Sequence, residues 1–299
     1  MSQLETNIQR LKQHLTNPGR HTFPFFNSEL DKDVPFALNT YRAASYQLGQ
    51  PVIFVQHGML RNGDDYRDFW IPAADKYGLL IIAPTFDDTN WATPENYNNG
   101  RAYLESGEAR PLSELTYALI HQVKNTLELA QISDGQKTYL FGHSAGGQFS
   151  HRYQSTQAHV FDRVAPSNAG WYSLPTLDLP FPEGLGGIGV DDDQVEKLLA
   201  YPMMILAGDQ DIATNEASLP AEPAAKRQGP HRFARAQYYY EFGKQEATKR
   251  GVPFNWTLQV VPGIGHDGCA MSEVCAHLWV ENGLPSAERL EQLAQSYVA

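Results

Sequence analysis

The chain has 299 residues, with 34 acidic and 23 Lys/Arg side chains and a formal charge of −11. At 42% apolar and 19% charged residues, its composition is that of a globular protein, which sets aside wholesale disorder and fibrous repeats. The negative balance argues against nucleic acid as a partner, and the lack of about 18 uninterrupted apolar residues argues against a membrane-spanning helix.

In chain order, Met1 to Asn17 is polar and amphipathic, with no apolar signal-peptide core, so a cytoplasmic protein is expected. This helix-like stretch reads as an appendage on the core, and the chain through about Pro35 carries no stronger signal. Strands are then expected at Ala37–Tyr46, Val52–Gln56, Leu79–Ala83, Thr138–Phe141, Arg163–Pro166, Met203–Ala207 and Trp256–Val261. Most are short and apolar on both faces, as strands covered by helices should be. Helical spacing separates them at Tyr66–Tyr77, Pro111–Leu129, Ala145–Gln157, Arg232–Arg250 and Ser286–Val298. The alternation predicts an α/β domain spanning 1–299, built on a mostly parallel sheet. Irregular, lid-like insertions are expected at about 172–200 and 215–230, the first carrying enough apolar residues to cover a pocket. Cys269 and Cys275 have no CxxC or HxxxH partners, so they read as two packed thiols rather than a disulfide or a metal site.

The strongest local signal is Gly142-His143-Ser144-Ala145-Gly146, directly after an apolar strand and directly before a helical pattern. A turn this sharp needs small flanking residues and exposes the serine hydroxyl in strained backbone. A serine is a poor nucleophile until a base takes its proton, and that base needs an acid to orient it. Gly208-Asp209-Gln210-Asp211 follows the Met203–Ala207 strand, which makes Asp211 the first choice of acid and Asp209 the alternative. Pro262-Gly263-Ile264-Gly265-His266-Asp267 follows the last strand, so His266 is the expected base, whereas His231 and His277 fall in helical patterns. Two backbone donors should bind the oxyanion: the N–H of Ala145 and that of Met59, in the loop His57-Gly58-Met59-Leu60 after an early strand.

With these residues in place, the chain resembles the α/β-hydrolase-fold serine esterases, specifically their poly(3-hydroxybutyrate) depolymerase-like and feruloyl-esterase-like branch. The residues that carry the resemblance run from His57-Gly58 through Asp68-Phe69-Trp70, Ala73-Ala74 and Ile82-Ala83-Pro84 to Phe141–Gly147. It implies an eight-stranded sheet, an acyl-enzyme mechanism, carboxylic esters as substrates, and Ser144, Asp211 and His266 as the triad. No metal or organic cofactor is called for, and the expected partner is a small-molecule or oligomeric ester. The chain is too short for the added polymer-binding module of secreted members, which favours soluble esters over crystalline polymer. Asn168-Ala169-Gly170-Trp171-Tyr172 should help wall the acyl pocket, with Trp171, Tyr172, His143 and Trp91 as substrate contacts and Tyr97 a weaker one. An amidase or peptidase on the same fold is the alternative, with a non-catalytic binding protein behind it.

Overall fold

A computed structural model describes residues 2–26, 34–157 and 160–296. Its strands are β1 (Gly19–Phe25), β2 (Phe36–Arg42), β3 (Val52–Gln56), β4 (Leu80–Thr85), β5 (Thr138–His143), β6 (Arg163–Ser167), β7 (Met204–Gly208) and β8 (Thr257–Val261). They form one eight-stranded sheet in the order β1-β2-β4-β3-β5-β6-β7-β8. β2 runs antiparallel to both neighbours, and β3 through β8 are parallel. β3 and β5 are buried at every position, which explains their unbroken apolar runs.

The helices are α1 (Gln3–Leu15), α2 (Gly63–Phe69), α3 (Ile71–Tyr77), α4 (Thr93–Asn96), α5 (Ala118–Leu129), α6 (Ala145–Thr156), α7 (Asp192–Ala200), α8 (Pro223–Gln228), α9 (Arg232–Arg250), α10 (Gly268–Glu281) and α11 (Ala287–Ser296). They flank the sheet: α2, α3 and α10 pack on one another, and α7 joins α6 to α9. No helix among the described residues is long and apolar enough to cross a membrane.

Several expected elements change shape for identifiable reasons. The first expected strand ends at Arg42 rather than Tyr46, because Arg42 pairs with Leu80, the first residue of β4. β1 escapes the apolar-run pattern because it alternates exposed and buried residues and contains Pro24, which an edge strand tolerates. The expected Tyr66–Tyr77 helix is two helices hinged at Trp70, because Pro72 cannot donate to a carbonyl four residues back and instead opens α3. Likewise Pro111–Leu129 is helical only from Ala118, after a 3-10 turn at Leu112–Glu114 and an extended Leu115. The acidic end of the first irregular stretch is the start of α7, where Asp191 and Gln194 form a reciprocal cap. The helical pattern read at His277 is α10, which buries Ala270, Met271, Val274, Cys275, Ala276 and Trp279 and leaves Glu273, His277 and Glu281 less buried. The last residues of the expected Ser286–Val298 helix lie outside the described residues.

The two cysteines are both free thiols, but only Cys275 is packed in the interior. Six residues apart on α10, they point to different faces, so Cys275 is buried while Cys269 is exposed.

Candidate active site

Every parallel strand delivers its carboxyl end to the same edge of the sheet, and the candidate residues follow β3, β5, β7 and β8 there. Ser144, between β5 and α6, sits at φ 58° and ψ −117°, a conformation that costs a non-glycine residue about 1–3 kcal/mol. Glycines make this turn possible: a Cβ at Gly142 would collide with the Gly146 carbonyl, and one at Gly146 with the Gln56 carbonyl.

His266 Nε2 lies 3.0 Å from Ser144 Oγ, and His266 Nδ1 lies 2.7 Å from Asp211 Oδ2. Asn168 Nδ2 also donates to Asp211 Oδ2 at 2.8 Å, and Arg232 Nη1 donates to Oδ1 at 3.3 Å. Burial raises the Asp211 pKa, but His266, Arg232 and Asn168 together outweigh it and hold the carboxyl below its ordinary range. Asp209 does something else: its Oδ1 accepts from the backbone N–H of Gly263 at 2.8 Å, tying the acid loop to the histidine loop.

Ala145 is the first residue of α6, so its N–H belongs to the helix-end donors that lack an intrahelical acceptor. Met59 follows Gly58 in a tight turn closed by Arg61 N–H on the Gly58 carbonyl. The turn is anchored by His57, whose Nε2 accepts from Phe86 N–H and whose Nδ1 donates to the Gly58 carbonyl, both at 2.9 Å. Burial pushes the His57 pKa down to about 3, so the neutral tautomer these contacts require is the one present. Tyr97 stacks on His57 and donates to its carbonyl at 2.8 Å.

Two cavities meet at Ser144 and share Met59, Ala217 and Ser218. The first, about 600 Å³, is walled by Trp171, Phe181, Gln148 and the 217–222 segment. The second, about 610 Å³, is lined by Leu60, Tyr66, Phe69, His143, His266 and Cys269. Trp171 therefore faces the site, and His143 lines the second cavity with its Nδ1 bonded to Tyr66 Oη at 2.9 Å.

Two expected substrate contacts are instead core residues. Tyr172 is fully buried and stacks on Tyr239 with ring centroids 4.4 Å apart, because the chain turns inward after Trp171. Trp91 is buried edge-on against Phe36 and Phe86, beneath the loop rather than in the cavity. Tyr97 is likewise buried and serves the His57 turn.

Arg232 is the contact the sequence concealed. Fully buried at the start of α9, it reaches Asp211, Glu216 Oε2 at 2.5 Å and Ser218 Oγ at 2.9 Å, clasping the 217–222 segment to the acid. Asn168 was read only as part of a wall, because its link to Asp211 exists only once β6 and β7 are paired.

A strained serine between strand and helix, facing a histidine and a carboxylate in that chain order, defines a serine hydrolase of the α/β-hydrolase fold. No family model and no curated protein sequence matches the chain. Among solved structures, a poly(3-hydroxybutyrate) depolymerase from Bordetella parapertussis is 55% identical, with a TM-score of 0.94, covering 96% of this chain and 98% of its own. Poly(aspartic acid) hydrolase-1 from Sphingomonas sp. KT-1 is 32% identical, with a TM-score of 0.83, covering 88% of this chain and 98% of its own. An S-formylglutathione hydrolase from Agrobacterium tumefaciens, 15% identical at a TM-score of 0.56 over 92% of this chain and 94% of its own, shares the fold. The chain belongs to the poly(3-hydroxybutyrate) depolymerase-like branch of the α/β-hydrolase-fold serine esterases.

Proposed function

We propose that this ester hydrolase cleaves neutral oligomeric esters through an acyl-enzyme formed on Ser144. In this reading His266 takes the Ser144 proton, Asp211 orients the imidazole and stabilises its cation, and the Met59 and Ala145 N–H groups receive the oxyanion. His266 then protonates the leaving alcohol and activates the water that releases the acid. Because His266 lines the second cavity, the alcohol portion belongs there and the acyl portion in the first.

The observation that carries the substrate reading is the pair of cavities of about 600 and 610 Å³ opening on either side of Ser144, each with room for more than a single short group. The relative that acts on poly(aspartic acid) raises a polyanionic amide as a second substrate class. Charge opposes it: the first cavity is lined by Glu95 and Glu222, by Glu183 paired with Arg227, and by no lysine or arginine. The free thiols Cys269 and Cys275 fit a reducing compartment, which supports a cytoplasmic place of action.

The test is to incubate wild type and Ser144→Ala with soluble oligomers of 3-hydroxybutyrate and of aspartic acid and follow chain length by chromatography. Shortening of the ester oligomer alone, lost in the variant, is expected. Turnover of the aspartate oligomer at comparable kcat/KM would move the protein to the amide class.

A further inference from the structure

Arg152, on α6 behind the first cavity, is fully buried and forms no ion pair among the described residues. Two of its nitrogens reach neutral acceptors, and Nη2 is buried with no hydrogen-bond partner among the described residues. Nε donates to Ser173 Oγ at 2.9 Å, and Nη1 is shared by the Asn98 carbonyl at 3.2 Å, Asn99 Oδ1 at 2.7 Å and Gln148 Oε1 at 3.1 Å. Burial lowers its pKa to about 10, so the group stays charged at neutral pH.

A guanidinium only donates, so Asn99 and Gln148 must turn their carbonyl oxygens toward it. Their amide NH2 groups are thereby fixed on the side away from Arg152, and both residues line the first cavity. Gln148 stands one helical turn beyond Ser144, its N–H bonded to the Ser144 carbonyl at 3.0 Å. Gly170 leaves space for this amide: a Cβ there would lie 2.7 Å from Gln148 Nε2. The cavity next to the nucleophile therefore has apolar walls at Trp171 and Phe181 and a floor of oriented N–H donors. Its charged lining is Glu95, Glu222 and Glu183, the last paired with Arg227, so with the Arg152 cation behind the floor the other two carboxylates still favour a neutral acceptor over an anion.

We propose that Gln148 and Asn99, locked by Arg152, determine acyl specificity by reading a neutral acceptor oxygen, a carbonyl or hydroxyl, borne by the acyl chain. The inference rests on the reading above, in which the acyl portion occupies the first cavity. Arg152 acts as a positioning residue and touches no substrate. An acyl group with such an oxygen gains hydrogen bonds that its hydrocarbon isostere cannot make. The isostere leaves both amides desolvated without a partner.

The experiment compares kcat/KM for p-nitrophenyl 3-acetoxybutyrate and its all-carbon isostere, p-nitrophenyl 3,5-dimethylhexanoate, with p-nitrophenyl acetate as reference. Wild type should prefer the acetoxy ester by roughly 10- to 100-fold. In a folded Gln148→Met/Asn99→Leu double variant the ratio should collapse toward one. A wild-type ratio near one, with all three esters turned over, would overturn the specificity claim and leave the esterase reading standing, without needing any variant to fold. A preference that survives the double substitution would overturn the assignment to these two amides. No turnover of even the acetate ester would overturn the esterase reading and this inference with it.

Discussion

Asn168 and Asp211 are joined by one amide: Nδ2 donates both to Asp211 Oδ2 at 2.8 Å and to the Gly265 carbonyl at 3.0 Å. The residue at the end of β6 therefore fixes the carboxylate and the backbone beside His266 at once, so the acid and base loops keep one relative geometry. Asn168 achieves this from φ 44°, a left-handed conformation that asparagine tolerates better than most residues. Asn168→Asp keeps the shape and puts a second carboxylate against Asp211. The like charge should raise the Asp211 pKa and lower kcat by at least about 10-fold with little change in KM, readable in the acid limb of the pH–rate profile.

The two aspartates of the Gly208–Asp211 turn separate by role. Asp211→Asn should reduce kcat by about 10⁴-fold, because the imidazole loses its orienting anion. Asp209→Asn, which alters a turn bond to Gly263, should leave kcat within a few-fold and lower stability by about 1 kcal/mol. Steady-state rates on one chromogenic ester decide it, and equal losses would be inconsistent with the assignment.

Arg232→Met should act on two things together, since one buried guanidinium holds both the acid and the cavity segment. Removing it leaves Asp211 without a flanking cation and frees Glu216 and Ser218. The expected result is a lower kcat, a higher KM for oligomeric esters than for the acetate ester, and protease cleavage within residues 212–222. A variant with unchanged KM and no new cleavage would show that the segment is held by other contacts.

The positions of the nucleophile, acid and base could be read because each sits in a glycine-containing turn at the carboxyl end of a short strand. The supporting residues could not. Arg232 opens a helix with no local mark of its partners, and the Asn168 contact depends on which strands pair. Aromatics after strands misled for the same reason. Trp91, Tyr97 and Trp171 look alike in sequence, and only packing sends the first two into the core and the third to the cavity wall. The fold showed a similar division, since buried parallel strands announce themselves and the edge strand β1 does not.

Acid should destabilise the protein through its neutral buried histidines. Burial lowers the pKa of His57 to about 3 and of His121 to about 4, and puts those of His143 and His151 well below the ordinary value. Between those values and about 6.5 the unfolded chain binds more protons than the folded one, so stability falls as pH falls through that window. At pH 5 His57 alone accounts for about 2 kcal/mol. Calorimetry in buffers of different ionisation enthalpy should record uptake of about four protons on unfolding at pH 5. Uptake below one would mean that these imidazoles are not buried and neutral.

The central claim is that Ser144 carries the acyl group, and intact-mass spectrometry after a fluorophosphonate probe tests it most directly. Wild type should gain one adduct mapped to Ser144, with Ser144→Ala unlabelled and its p-nitrophenyl butyrate turnover down by on the order of 10⁴-fold or more. Equal labelling or equal turnover in the folded variant would contradict the account.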